Sequence, residues 1–262
     1  MTSIYLKFNK IAIKKMKQHE AVVAALENLG GVATLGQLYQ ETMKIPGCQW
    51  GTKTPFASIR RIVQLQKKDI YKIKPGLYGL VNFKTQNESK GIFVETEKNR
   101  DSKEMVEFNH SYYQGVLLSI GNLKQMDTFC PNQDKNKMFL NKRLDELRTC
   151  KSIPLFSYPE FISRSSTIDV IWFNEKRMPD TFFEVEHSTN IYNSLLKFSD
   201  LKYFFADFKI VASIERIREY DAKMDFSAFK DIRKRVAFLD YNSLNKQYEM
   251  ILEQQTFSTL II

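Results

Sequence analysis

The sequence predicts an α/β protein that carries a small basic unit of helices at its N-terminal end. Three observations predict it. From about residue 105 onward, helical and strand patterns alternate along the chain. Before residue 84, helical spacing recurs three times and ends in a hairpin signal. The formal charge of +9 is also confined to the first third: residues 1–84 carry 14 basic and 4 acidic side chains, the other 178 carry 25 and 26. At 262 residues and 43% hydrophobic, the chain is long enough to bury a substantial core.

The N-terminal elements follow from spacing. Ala21, Val22, Ala25, Leu26 and Leu29 form one helical stripe, which Gly30 and Gly31 end. Leu35, Leu38, Tyr39 and Met43 predict a second short helix that stops near Pro46-Gly47. Thr54-Pro55 reads as an N-cap followed by proline in the first turn of a third helix. There Phe56, Ile59, Ile62 and Val63 make the apolar face, and Arg60, Arg61, Gln64 and Lys68 lie opposite. Residues 70–74 and 77–80 read as two strands around the turn Pro75-Gly76.

Three helices and a hairpin predict a winged helix-turn-helix. A helix with one face packed and the other offering Arg, Lys and Gln suits the major groove of double-stranded DNA. The candidate DNA contacts are Thr54, Ser58, Arg60, Arg61, Gln64 and Lys68, with Lys72 and Lys74 on the wing reaching the backbone. The alternative is a protein-interaction unit whose charges form only a solvated face. Residues 51–61 and the closing Pro75-Gly76-Leu77-Tyr78-Gly79-Leu80 resemble the HARE-HTH winged-helix module, which is often attached to bacterial restriction endonucleases. The expected boundaries are a DNA-binding domain over 1–84, a polar linker over 85–104, rich in Asn, Ser, Glu and Lys, and a second domain over 105–262.

In that second domain, residues 110–124 read as a helix and 127–130 as a short strand. Residues 167–173 and 181–187 predict a strand pair, followed by a helix over 192–204 and a buried strand over 208–212. A helix over 226–234, a strand over 236–241 and a helix over 243–254 complete the pattern. The apolar tail Leu260-Ile261-Ile262 is expected to dock on the core or on a partner.

The chemistry-bearing residues lie on the central strand pair. Alternate residues of a strand share a face, so Glu184 and Glu186 project together and Phe183 and Val185 project oppositely. Asp169 starts the preceding strand among Ile168, Val170 and Ile171. Acids in strands this apolar need a compensating cation or hydrogen bonds, and converging carboxylates favour a hard ion such as Mg²⁺. On the helix before the sheet, Glu107, His110 and Gln114 form one stripe, a possible set of outer ligands or phosphate contacts. His187 points to the other strand face and reads as a packed histidine. Lys197, on the following helix, is a candidate phosphate contact or source of positive charge.

This constellation resembles the PD-(D/E)xK nuclease superfamily, with its α-β-β-β-α-β core, and specifically the Type II restriction enzymes that carry an E-x-E pair. Asp169 matches the Asp and Glu184 the (D/E); Glu186 stands where Lys is usual, and Ile168 replaces the Pro. The resemblance implies a restriction-endonuclease-like mixed sheet flanked by helices, and Asp169, Glu184 and Glu186 as ligands of one or two Mg²⁺. It implies hydrolysis of double-stranded DNA at a specific sequence, leaving 5′-phosphate ends. A homodimer and a cognate DNA methyltransferase as genetic partner are implied as well. A structure-specific repair nuclease and a catalytically inactive DNA-binding regulator are the alternatives.

Other classes are excluded. No stretch approaches the roughly 18 apolar residues of a membrane helix, so no membrane partner is expected. The first residues are positive but lack an apolar run, which argues for a cytoplasmic protein. Cys48, Cys130 and Cys150 are too far apart for a zinc pair and too few for a disulfide framework.

Overall fold

A computed structural model describes residues 16–51 and 54–260; the apolar tail falls essentially outside them. The N-terminal unit contains α1 (Gln18–Asn28), β1 (Val32–Thr34), α2 (Leu35–Lys44), α3 (Pro55–Leu65), β2 (Ile70–Lys74) and β3 (Leu77–Leu80). The three helices and the hairpin stand where the spacing places them. The addition is β1, which pairs antiparallel with β3 to complete a three-stranded sheet. Gly30 and Gly31 end α1 at φ +78° and +84°, and the Gly31 N–H donates back to the Leu26 carbonyl at 2.8 Å. A capping box opens α2: Thr34 Oγ1 accepts from the Gln37 N–H while Gln37 Oε1 accepts from the Thr34 N–H. Leu26, Leu38, Tyr39, Phe56 and Ile59, all fully buried, form the unit's own core.

The segment expected as a polar linker is packed. It begins as α4 (Lys84–Ser89), and Asn87, fully buried, donates to the Gly31 carbonyl and to Tyr71 Oη. Ile92 is buried against the long helix that follows. Composition reads this run as solvent-exposed because its fully buried side chains are few, Asn87 and Ile92 standing five residues apart in an otherwise polar stretch.

The second unit contains α5 (Lys103–Leu123), β4 (Asp127–Phe129), β5 (Met138–Phe139), β6 (Lys142–Arg143), α6 (Leu144–Leu147), α7 (Pro159–Ser165), β7 (Val170–Phe173), β8 (Pro179–Glu186), α8 (Ile191–Asp200), β9 (Asp207–Ala212), α9 (Ile217–Met224), β10 (Val236–Asp240) and α10 (Tyr241–Leu260). Its five-stranded sheet runs β10-β9-β8-β7-β4. The β4, β7 and β8 neighbours pair antiparallel and β8, β9 and β10 parallel. A parallel neighbour needs a crossover, which α8 supplies between β8 and β9 and α9 between β9 and β10. The fold is therefore mixed α/β, with helices on both faces of the sheet.

Period-two alternation sorts the sheet's side chains. Phe183 and Val185 join α5 and α10 in one core, whereas Phe182 faces Ile191, Leu195 and Phe198 of α8. The helix expected over 226–234 is instead a single 3₁₀ turn, Ser227–Phe229. Phe229 and Ile232 are the buried anchors, three residues apart, so one tight turn satisfies both. Arg235 then ties the segment down by donating to the carbonyls of Lys202, Phe204 and Ala206.

The two units share a core. Val32, Ile73 and Leu77 from the first belong to the same cluster as α5 and α10, and Gly36 of α2 lets α10 approach so closely that an added Cβ would come 2.7 Å from Leu252 Cδ1. On α5, a Cβ at Gly115 would come 2.2 Å from the Phe139 ring. Gly115→Ala is expected to overpack this contact and cost about 1–3 kcal/mol, read as a lower thermal midpoint.

Candidate active site

Asp169 lies just before β7 rather than within it. Its Oδ2 accepts from the Val185 N–H at 2.7 Å, so the carboxylate sits across from β8 between the two glutamates. Glu184 and Glu186 share a face, as their spacing requires, and that face is turned to α8. The Ser194 hydroxyl bridges the two, its Oγ within hydrogen-bond distance of Glu184 Oε2 at 2.9 Å and of Glu186 Oε1, and Thr189 Oγ1 donates to Glu186 Oε2. Lys197, one turn beyond Ser194, places its Nζ 3.0 and 2.8 Å from the two Glu184 oxygens and 3.0 Å from the Thr167 carbonyl.

Among the described residues, no three His, Cys, Asp or Glu side chains converge closely enough to hold a metal as they stand. Glu186 is drawn toward Ser194 and Thr189, and Asp169 leans to the α5 side. What the site concentrates is an electrostatic imbalance. Glu184 is 2% exposed, and burial together with the nearby Asp169 pushes its carboxyl up to about 8, against the opposing pull of Lys197 and Ser194. Burial also acts to raise Asp169, but the His110 hydrogen bond and charge and the Val185 N–H hold it below the ordinary carboxylate range.

From α5, His110 Nε2 approaches Asp169 Oδ1 at 3.3 Å. Burial opposes charge on the ring, yet pairing with Asp169 raises its pKa overall. Gln114, fully buried, donates from Nε2 to Asp134 Oδ2 at 2.8 Å and to the Asp169 carbonyl at 3.2 Å. It therefore positions the Asp169 backbone rather than a ligand. His110 Nδ1 and Gln114 Oε1 are both buried without a hydrogen-bond partner. Glu107 is exposed, pairs loosely with Lys103 at 3.9 Å and stands apart from the acids. His187 is held as expected of a packed histidine, with its ring parallel to Tyr241 and Nε2 3.1 Å from the Arg100 carbonyl.

Asp134 and Ser194 were not singled out from the sequence. Asp134 lies in a connection without periodicity, its only local signal being Lys137 three residues on, which pairs with it at 2.6 Å. Ser194 could have been found as the i, i+3 neighbour of Lys197 on α8.

With this geometry in place, the sequence profile of the Type II restriction enzyme NmeDI C-terminal domain matches residues 93–260. The chain belongs to that family. Neither a curated protein nor a solved structure matched. The family's span takes in α5 through α10, and with them Asp169, Glu184, Glu186, His110, Gln114 and Lys197. It starts inside the packed connection, at Phe93, and leaves the N-terminal unit outside.

In that unit the expected DNA contacts separate into two groups. Arg61 and Gln64 are exposed on α3 and Thr54 just before it, Ser58 is half-buried, and Lys72 is exposed on β2; Lys68, expected on this helix, is exposed in the turn after it, because α3 ends at Leu65. Arg60 is instead committed to α10: its Nη2 meets Glu249 Oε1 at 2.6 Å, and Tyr39 Oη donates to the same oxygen at 2.8 Å. Lys74 departs furthest from expectation. The β2–β3 register slips between Lys72 and Lys74, and the irregularity turns Lys74 inward, where it is 4% exposed. The hairpin tip also touches the second unit, with Asn245 Nδ2 of α10 donating to the Pro75 carbonyl at 3.2 Å. Lys74 is therefore a contact between units, not a phosphate contact.

Proposed function

We propose that the chain is a Type II restriction endonuclease of the PD-(D/E)xK kind, hydrolysing double-stranded DNA with Mg²⁺. The observation that carries this reading is the buried Asp169–Glu184 pair, with Glu184 pushed up to about 8, in a domain of a restriction-enzyme family. The donor chemistry fits the ion: hard carboxylate oxygens in a site with more negative charge than Lys197 alone offsets. Asp169 and Glu184 would hold it. When bound, such an ion would supply polarisation of the scissile phosphate and a lower pKa for the attacking water, the chemistry of a hydrolysis that leaves a 5′-phosphate and a 3′-hydroxyl.

The chain's own residues divide the remaining work. Glu186, fixed by Ser194 and Thr189, orients the water or accepts its proton. Lys197 supplies from α8 the positive charge that the superfamily usually places on the strand, where this chain has Glu186. His110 holds Asp169 in place. The N-terminal unit acts as a winged helix that binds duplex DNA through α3, a reading supported by the +10 charge of residues 1–84 and by exposed Arg61, Gln64 and Lys68. Cleavage of both strands at a palindrome calls for a homodimer, and self-protection calls for a methyltransferase partner.

The deciding experiment is a digest of plasmid and phage DNA with Mg²⁺, with EDTA, and with Glu184→Ala. Discrete bands that vanish in EDTA and in the variant are expected. Nicks only at branches or ends would favour a structure-specific nuclease, and retarded but uncut DNA with every metal would favour a regulator. Arg61→Ala and Lys68→Ala are each expected to reduce the slope of log affinity against log salt by about 1. Arg60→Ala is expected to lower the thermal midpoint while leaving that slope unchanged.

A further inference from the structure

We propose that Lys74 is a positioning residue that latches the N-terminal unit to α5 and thereby sets His110 against Asp169. The inference rests on the nuclease reading above and extends it to how the two units communicate. The Lys74 ammonium lies 4.5, 4.8 and 5.3 Å from the ring centroids of Tyr113, Tyr112 and Phe108, all on α5, and donates to Asn109 Oδ1. Glu95 is the nearest carboxylate, at 4.0 Å. Ring faces and one amide oxygen stabilise the cation, but burying an ammonium remains costly, and burial lowers Lys74 to about 7. An apolar side chain would dock the hairpin more cheaply. What the ammonium adds is direction, since it aligns the hairpin with one amide on one turn of α5.

That amide is well placed. Asn109 immediately precedes His110, and its Nδ2 lies 3.5 Å from His187 Nδ1, on the residue that follows Glu186 at the end of β8. Lys74, Asn109 and His187 thus link the N-terminal unit to the helix bearing His110 and to the strand bearing both glutamates. Asn245 steadies the arrangement from α10, bonding the Pro75 carbonyl and accepting from Tyr112 Oη at 3.3 Å. A shift of the N-terminal unit on engaging DNA passes through this latch to the His110–Asp169 contact.

The test uses full-length Lys74→Met, Asn109→Leu and the double variant, which attack the same bond from both sides, so that either single decides if the other fails to fold. Duplex affinity is measured in EDTA, single-turnover cleavage in Mg²⁺, and amide exchange along α5. Expected is duplex affinity within about twofold of wild type, cleavage slowed about tenfold or more, and faster exchange around residues 107–112 with α1 and α3 unaffected. The double variant should be no slower than the slower single. Unchanged α5 exchange would overturn the latch, and so would a rate that falls only in step with affinity or with loss of the whole fold. If wild type does not cleave, the nuclease reading fails, and the exchange measurement alone decides the latch.

Discussion

Asp169→Asn is expected to lower the single-turnover rate of duplex cleavage by about 10³-fold, equivalent to about 4 kcal/mol of transition-state stabilisation. The substitution is nearly isosteric. Asn can still accept from the Val185 N–H that fixes Asp169, so the loop before β7 keeps its place. What disappears is the charge, and with it one of the two groups that would hold Mg²⁺ and the anionic partner of His110. Duplex affinity measured without metal should hold or rise slightly, because a negative charge facing phosphate has been removed. A rate within tenfold of wild type would remove Asp169 from the catalytic machinery.

Lys197→Met is expected to act on stability as well as on rate. It leaves Glu184 buried without its cation, and stranding one member of a buried pair typically costs about 3–5 kcal/mol when the remaining group is charged. The sign with pH follows from Glu184. Its folded value, about 8, lies above its unfolded one, so the folded state binds the proton more tightly and stability falls as pH rises from the unfolded value toward 8. In Lys197→Met the carboxyl stays protonated to still higher pH. The melting deficit of the variant should therefore widen above about pH 8, where wild-type Glu184 ionises against Lys197 and the variant's cannot do so cheaply. Cleavage should be slowed about 10²-fold at any pH where the variant is folded. A deficit that narrows with rising pH would contradict the assigned pairing.

Much of the fold was legible because it rests on local periodicity. The apolar stripes of α1, α2 and α3, the alternation in β8 and the Ile210-Val211-Ala212 run of β9 each carry their own signal. The common face of Glu184 and Glu186 follows from the two-residue repeat alone, and the Ser194 hydroxyl, which reaches both, bears it out. Where expectation and structure part, the cause is a distant partner or a break in period. Arg60 looks like a surface cation until Glu249, 189 residues on, meets it. Lys74 shares a strand parity with Lys72, and only the register slip between them sends one outward and the other into the α5 cage. Asn87 and Ile92 are two anchors in a run whose average is polar. Asp169 and Glu184 were found as residues, but their unequal electrostatics were not, because these depend on His110 and Lys197 arriving from helices on opposite faces of the sheet.

The thiols fit the same picture. Burial pushes Cys130 up to about 12 and raises Cys48 and Cys150 as well, which leaves all of them poor nucleophiles.

Mn²⁺ binding followed by electron paramagnetic resonance tests most directly whether Asp169 and Glu184 together form the proposed metal-holding centre, without any dependence on finding the recognition sequence. Wild type, Asp169→Asn and Glu184→Gln would be titrated at about pH 6.5 and about pH 8.5. Expected is a bound ion in wild type whose affinity strengthens between the two, as Glu184 gives up its proton, and a large loss of that binding in both variants. Binding that is equal in wild type and Glu184→Gln, or indifferent to pH across that interval, would contradict it.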